Sequence, residues 1–439
     1  MIRTRPMALF FCAAFLALAA GAVFPVPAKA LCGDLSGDGY VRASDALAVL
    51  SEAVRGRYDS RADLAPPGSG DGRVTATDAL VALRAAVAGT TPWCPLAPAR
   101  VVVSLAACDF VTGGLAAIDA AELGLAGQRP GAVAADTVLR WSGGRLFAIG
   151  RFGADAIAEL DPDTLDVLWQ CSVGAGSNPH DLVLVSPTLG YVSRFDSASL
   201  AIIDPSAGPS CQGFLRGEID LGALADADGF PEMDQMALVG DRLFVALERL
   251  DRNDFFRPAT NAALAVVDTS RNTLEGAVEL TIENPFAETK GLIYDPDAGL
   301  LYAGGPGRLF TDLEDGGIEV VDPVSSTSLG LVASGKELGG DLTDFALAGS
   351  GRVFAIVADA SFVASVIDFD VATGTRRLLF RSPFLVSDIE LSADGRLWVA
   401  DRNCSQPGVR VFDVDDGHEL TPDPIYPGLT PFNLLPWRK

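Results

Sequence analysis

Histidine is nearly absent from this 439-residue chain: His180 and His418 are the only two. A multi-histidine zinc site, or an iron site of two histidines and a carboxylate, has almost no material to use. The seven cysteines contain no C-x-x-C pair, which argues against a zinc ribbon or a thioredoxin-type motif. There is no G-x-S-x-G, so no serine-nucleophile elbow is indicated. Positive charge is also scarce, with 33 Lys and Arg against 57 Asp and Glu, a formal net charge of −24. A surface that acidic repels phosphate, so nucleic acid and anionic membrane are poor partners and cations or basic surfaces better ones. Charged residues are nevertheless only 21% and apolar residues 49%, which excludes global disorder. The 46 Gly and 27 Pro favour a turn-rich fold over a helical bundle.

Long apolar runs are limited to one place. Arg3 and Arg5 precede an apolar stretch from Met7 to Phe24, and Ala28-Lys29-Ala30 follows. This has the n-region, h-region and A-x-A site of a secretory signal peptide, with cleavage expected after Ala30. No other stretch is suited to span a bilayer, so the mature chain is expected to lack a membrane span and to be secreted or periplasmic. Losing residues 1–30, which carry three positive charges and no acid, takes the net charge from −24 to −27. Cys12 leaves with that segment, and six cysteines remain: Cys32, Cys94, Cys108, Cys171, Cys211 and Cys404. An even number in an exported chain reads as disulfides. Cys108 and Cys404 both follow the second strand of their repeat units, in the first and last units, and are expected to pair. Cys171 and Cys211, in outer strands of adjacent units, are the remaining pair outside the N-terminal module.

Residues 31–95 contain two segments that repeat at an offset of 33: Ser36, Asp38, Gly39, Val41, Asp45, Leu47, Leu50 and Val54 correspond to Ser69, Asp71, Gly72, Val74, Asp78, Leu80, Leu83 and Val87. In the first copy, oxygen-bearing residues fall at loop positions one, three, five and twelve (Asp34, Ser36, Asp38, Asp45), and Gly39 stands at the sharp turn. Calcium needs six or more hard oxygens, and alternating positions on a tight loop converge on one point. Tyr40 would add its carbonyl oxygen, as Arg73 would in the second copy. That copy offers Ser69, Asp71 and Asp78 but has Pro67 at the first position, so Asp63 would have to reach in. The alternative is that both loops are ordinary tight turns.

With Asp rather than Glu at the twelfth position, and a helix starting straight after the loop, this pair resembles a type I dockerin. The resemblance implies Ca2+ and a cohesin-like protein partner. The pairs Ala43-Ser44 and Ala76-Thr77 depart from the family's usual Ser-Thr, which weakens the cohesin expectation and leaves an intramolecular calcium-clamped knob as the alternative. Dockerin ends lie close together, which implies a Cys32–Cys94 bond. Pro92, Pro95 and Pro98 then mark a stiff linker, ending at 96–100.

From residue 101 to 439 an apolar residue followed by Asp closes a short strand seven times, at Asp119, Asp161, Asp204, Asp268, Asp322, Asp370 and Asp413, in five of them after an apolar pair. A turn and an apolar strand precede it, as in Gly144-Arg145-Leu146-Phe147 and Gly395-Arg396-Leu397-Trp398. Four short strands per unit at this period predict a mainly β chain, a seven-bladed β-propeller behind a small helical module. Phe432-Asn433-Leu434-Leu435 matches a unit's innermost strand and is expected to complete the first blade. The region resembles YVTN/YncE-like and lactonase-like propellers, a resemblance that speaks to fold more than to function.

The innermost strands begin at Asp136, Asp181, Asp234, Lys290, Asp344, Asp388 and Asn433. Two readings stand: a cation site on the axis, or aspartates each accepting backbone N–H groups in their own turn. His180-Asp181, within Pro179-His180-Asp181, matches the opening of a YncE-like blade. Two long acidic loops, Asp251–Arg257 and Thr311–Gly316, should share the face where the inner strands begin. The functional expectation is an extracellular binding or interaction module for a glycan, small ligand or protein partner. The alternative is an extracellular enzyme, a calcium-dependent lactonase or lyase or a component of polysaccharide degradation. An open, converging polar site on the axis would favour the enzyme.

Overall fold

The computed structural model describes residues 33, 35, 41–55, 62, 64, 74–88 and 100–437, without 286–289, 350 and 384. The described chain from Arg100 onward forms seven antiparallel blade sheets of a propeller and one small two-stranded hairpin. The inner strands are Thr430–Trp437, Thr137–Ser142, Pro179–Ser186, Met233–Val239, Leu292–Asp295, Asp341–Leu347 and Val386–Ser392. Six blades have four strands and the last has three. There Ile425 and Glu419 make single bridges to Val409 and Phe412 instead of a fourth strand. Pro422, Pro424 and Pro427 interrupt that stretch, and a residue without an N–H cannot maintain a ladder.

The recurring Asp that closes each third strand has one local role. Asp119 Oδ1 accepts from the backbone N–H groups of Ala121 and Glu122, both at 2.9 Å. Asp161, Asp204, Asp268, Asp322, Asp370 and Asp413 accept likewise from residues two or three further on. These are Asx-turns into the outer strand, which explains why the sequence repeats Asp at that point. At Asp268 the Ser270 hydroxyl, the Arg271 N–H and the Arg271 charge hold the carboxyl down at about 2.

The ring closes between the two ends of the propeller sequence. Val102, Val103 and Ser104 pair with Leu435, Leu434 and Asn433, so the C-terminal strand is the innermost strand of the first blade. Phe432 and Leu434 on it are fully buried. Cys108–Cys404 ties the first blade to the last, with Cα atoms 6.1 Å apart. Cys171–Cys211 ties the second to the third. Cys171 is in an outer strand as expected, but Cys211 lies in the turn before one, with φ of 56°. Cys32 and Cys94 lie outside the described residues.

Two 13-residue helices, Ala43–Arg55 and Ala76–Ala88, precede the propeller in sequence. Each starts two residues before its repeated Asp instead of after it, because Asp45 and Asp78 sit in the first turn and bond back to its opening. Arg42 N donates to Asp45 Oδ2 at 2.9 Å, and Thr75 N to Asp78 Oδ2 at 2.7 Å. The helices bury their small face, with Ala46, Val49, Ala79 and Ala82 packed around Ala62 and Leu64. The larger apolar stripe that repeats in both copies, Leu47, Leu50, Val54 and Leu80, Leu83, Val87, is exposed. No helix among the described residues is long and apolar enough to cross a membrane.

Candidate functional site

The aspartates that open the inner strands line the central channel, and they do not form one uniform ring. Asp181 Oδ1 accepts from its neighbour Leu182 N at 2.8 Å, and its Oδ2 accepts from Met236 N on the next inner strand, also at 2.8 Å. Asp344 repeats the device, with Phe345 N at 2.9 Å and Ile389 N at 3.0 Å. Asp388 accepts from Leu434 N, and Asn433 Oδ1 from Leu139 N at 2.6 Å. The expectation that each Asp bonds its own local backbone holds in part: Asp181 and Asp344 accept from the N–H of the next residue and also from the backbone of the following blade. Inner strands of neighbouring blades belong to separate sheets, so side chains link them where no backbone ladder does.

Fixed cations balance part of the charge. Arg151 Nε donates to Asp136 Oδ1 at 2.7 Å, Arg140 Nε to Asp181 Oδ1 at 2.7 Å, and Lys290 Nζ to Glu390 Oε1 at 2.7 Å. Burial works against the charges on Arg140 and Lys290, yet the surrounding carboxylates hold both above their ordinary values. Burial, then the charge of Asp388 beside it, push the Asp344 carboxyl well above the usual carboxylate range. Arg140, Trp141, Lys290, Glu390 and Pro436 line a cavity of about 290 Å³ at the far end of the inner strands.

At the near end, His180 Nδ1 and Asp234 Oδ1 are 2.9 Å apart, and Glu248 completes a buried group of three. The His180 ring stacks on Phe195, centroids 4.9 Å apart. Burial, and then the charges of Asp234 and Glu232, hold the Glu248 carboxyl well above its ordinary range, with Arg151 pulling the other way. Glu248 was not among the sequence candidates. Its signal was the residue just after the second strand of a unit, where Arg151, Asp359 and Arg402 also carry charge.

The long loops stand on the same face. Asp251–Arg257 folds back on itself, with Leu250 and Asp251 paired to Pro258 and Arg257. Arg252 anchors it. Its guanidinium lies 4.1 Å from the Phe230 ring centroid and donates to Glu232 Oε1 at 2.7 Å and Asp196 Oδ1 at 2.6 Å. Phe255 and Phe256 follow with φ of 57° and 55°, a left-handed backbone that bulky residues rarely adopt. Phe256 reaches inward to Phe195, centroids 6.2 Å apart, whereas Phe255 is 89% exposed. This loop and the one around Thr311 frame a cavity of about 740 Å³, lined among others by Asp254, Phe255, Arg257, Arg308 and Asp312.

Of the calcium-ligand candidates, Asp45 and Asp78 are described. Both are buried, at the third residue of their helices. Asp78 also accepts from Leu64 N at 2.6 Å and from the Thr75 hydroxyl at 2.7 Å. Asp34, Ser36, Asp38, Tyr40, Asp63, Ser69, Asp71 and Arg73 lie outside the described residues.

No family model matches the chain, and no curated protein matches it. Solved structures do. A protein of Lactobacillus plantarum aligns with TM-score 0.53 and 15% identity over 77% of this chain and 98% of its own. A candidate 6-phosphogluconolactonase of Bacteroides fragilis aligns with TM-score 0.52 and 13% identity over 77% and 98%. The periplasmic gluconolactonase of Pseudomonas aeruginosa aligns with TM-score 0.51 and 15% identity over 76% and 98%. At such identity the likeness is one of fold: this chain shares the β-propeller of lactonase-like proteins.

Proposed function

We propose that the chain is an exported binding protein, a rigid propeller that presents a ligand cavity on one face and carries a calcium-clamped, dockerin-like module at its N-terminus. The 740 Å³ cavity between the two long loops carries this reading. Its size suits a small ligand, and an exposed aromatic beside Arg257 and Arg308 matches a saccharide or sugar acid, which stacks on a ring and offers oxygens to guanidinium groups. The two disulfides suit an oxidising compartment, the periplasm or the cell exterior. Titration of the full chain with neutral and acidic oligosaccharides tests it. Binding that weakens at least tenfold in Phe255→Ala and Arg308→Ala supports the reading. A panel with no binder, or binding indifferent to both changes, rejects it.

In the N-terminal module, Asp34, Ser36, Asp38, the Tyr40 carbonyl and Asp45 would hold one calcium ion, with Asp63, Ser69, Asp71, the Arg73 carbonyl and Asp78 around a second. The burial of Asp45 and Asp78 at equivalent places in the two copies supports this reading. The exposed stripes Leu47-Leu50-Val54 and Leu80-Leu83-Val87 support a cohesin-like partner that covers them.

A second reading, lactone hydrolysis, draws on the fold shared with the gluconolactonase and on the His180–Asp234 pair. Against it stands the burial of His180, Asp234 and Glu248, at 8%, 1% and 2% exposure, which keeps a sugar lactone from them. Gluconolactone turnover lost in His180→Ala would reverse the order of the two readings.

A further inference from the structure

Most carboxylate oxygens at the axis are consumed by hydrogen bonds, to the next blade or to a fixed cation. Asp234 Oδ2 and Glu248 Oε1 are buried and accept no hydrogen bond. Both residues are more than nine-tenths buried, as is His180 beside them. One ligand atom from each of the three lies within 4.8 Å of the others. Carboxylate oxygens shut away from water and from donors are costly unless a cation compensates them.

We propose that His180, Asp234 and Glu248 hold one divalent transition-metal ion, of the zinc, manganese or cobalt class, at the mouth of the channel. Two carboxylates neutralise a doubly charged ion, and an imidazole nitrogen selects this class over calcium and magnesium, which prefer oxygen alone. Metal–ligand bonds of about 2.1 Å place tetrahedral ligands about 3.4 Å apart, so the side chains would draw together by up to about an ångström or slightly more around the ion. The three residues stand on rigid supports: two inner strands and the end of the strand Arg242–Leu247. The Phe195 ring fixes the imidazole plane. Arg151, the cation acting on Glu248, is itself held by Asp136. A bare ion needs no cavity, which is why burial that excludes a sugar lactone does not exclude this ligand. The site stands or falls independently of the saccharide cavity.

The test is metal titration of the full chain, with calcium present to fill the N-terminal loops, using Zn2+, Mn2+ and Co2+ in turn. One ion per chain is expected, with affinity falling at least tenfold in Glu248→Gln and in His180→Asn. The parent protein supplies a second readout. With two histidines in the sequence, its imidazole NMR spectrum has two signals, and His418→Gln identifies the exposed one. Zn2+ should move the His180 signal. No saturable binding, an unmoved His180 signal, or binding unchanged in folded variants overturns the proposal. If a variant does not fold, the imidazole signal of the parent decides.

Discussion

Asn433 Nδ2 donates to Asp388 Oδ2 at 2.8 Å, linking the strand that closes the ring to the blade before it. The same asparagine accepts from Leu139 N on the blade after it, so one side chain on the last strand stitches three blades. The circular order of the propeller is thus enforced at the axis as well as by the ladder with residues 100–106.

Asn433→Ala should leave the buried Leu139 N–H without its acceptor and take one of two donors from Asp388 Oδ2, which keeps Leu434 N. Each such loss costs about 1–3 kcal/mol. Thermal unfolding of the variant is expected several degrees below the parent; a shift within one degree would show that the axial bonds do not bear on stability.

Ending the chain at Pro431 removes Phe432 and Leu434, both fully buried, at about 1.5–3 kcal/mol per side chain, and reopens a sheet edge. The whole propeller should lose stability, not merely fray. A truncated protein that melts with the parent contradicts the closure by this strand.

Asp344 gives a pH dependence of definite sign. Its folded pKa lies above the unfolded value near 3.9, because it is buried beside Asp388. The stability it contributes is full below about pH 4 and is lost as pH rises through the folded value. Asp344→Asn, which cannot ionise, should therefore flatten the decline in melting temperature between acid and alkaline pH. Parallel curves for variant and parent would refute this.

Calcium should bind the N-terminal loops and raise their stability by mass action. Calorimetric titration of the full chain is expected to show at least one calcium site that Asp38→Ala abolishes. Retention of that site in the variant removes Asp38 from the ligand set.

Peptide mapping without reduction should recover Cys108–Cys404 and Cys171–Cys211, the two bonds present here, together with Cys32–Cys94. Free Cys32 or Cys94 thiols would exclude the last.

Much of the propeller was legible in the chain because its signals are local. An Asp that caps a turn bonds N–H groups two or three residues away, so Asp119 and its six counterparts recur visibly and count the blades. The closing strand was legible because an unmatched half-unit at one end fits a gap at the other. What only the tertiary structure decided is lateral. Asp181 binding Met236, and His180 meeting Asp234, join residues 55 and 54 apart, brought together by the angle between neighbouring blades. Glu248 belongs to that pair only because the second strand of its blade returns to the channel mouth. On the two helices, periodicity marked Leu47, Leu50 and Val54 as one face but could not tell a core from an exposed surface. Packing between Ala46, Val49, Ala79 and Ala82 resolved it, since small side chains let the helices approach and turned the larger stripe to solvent.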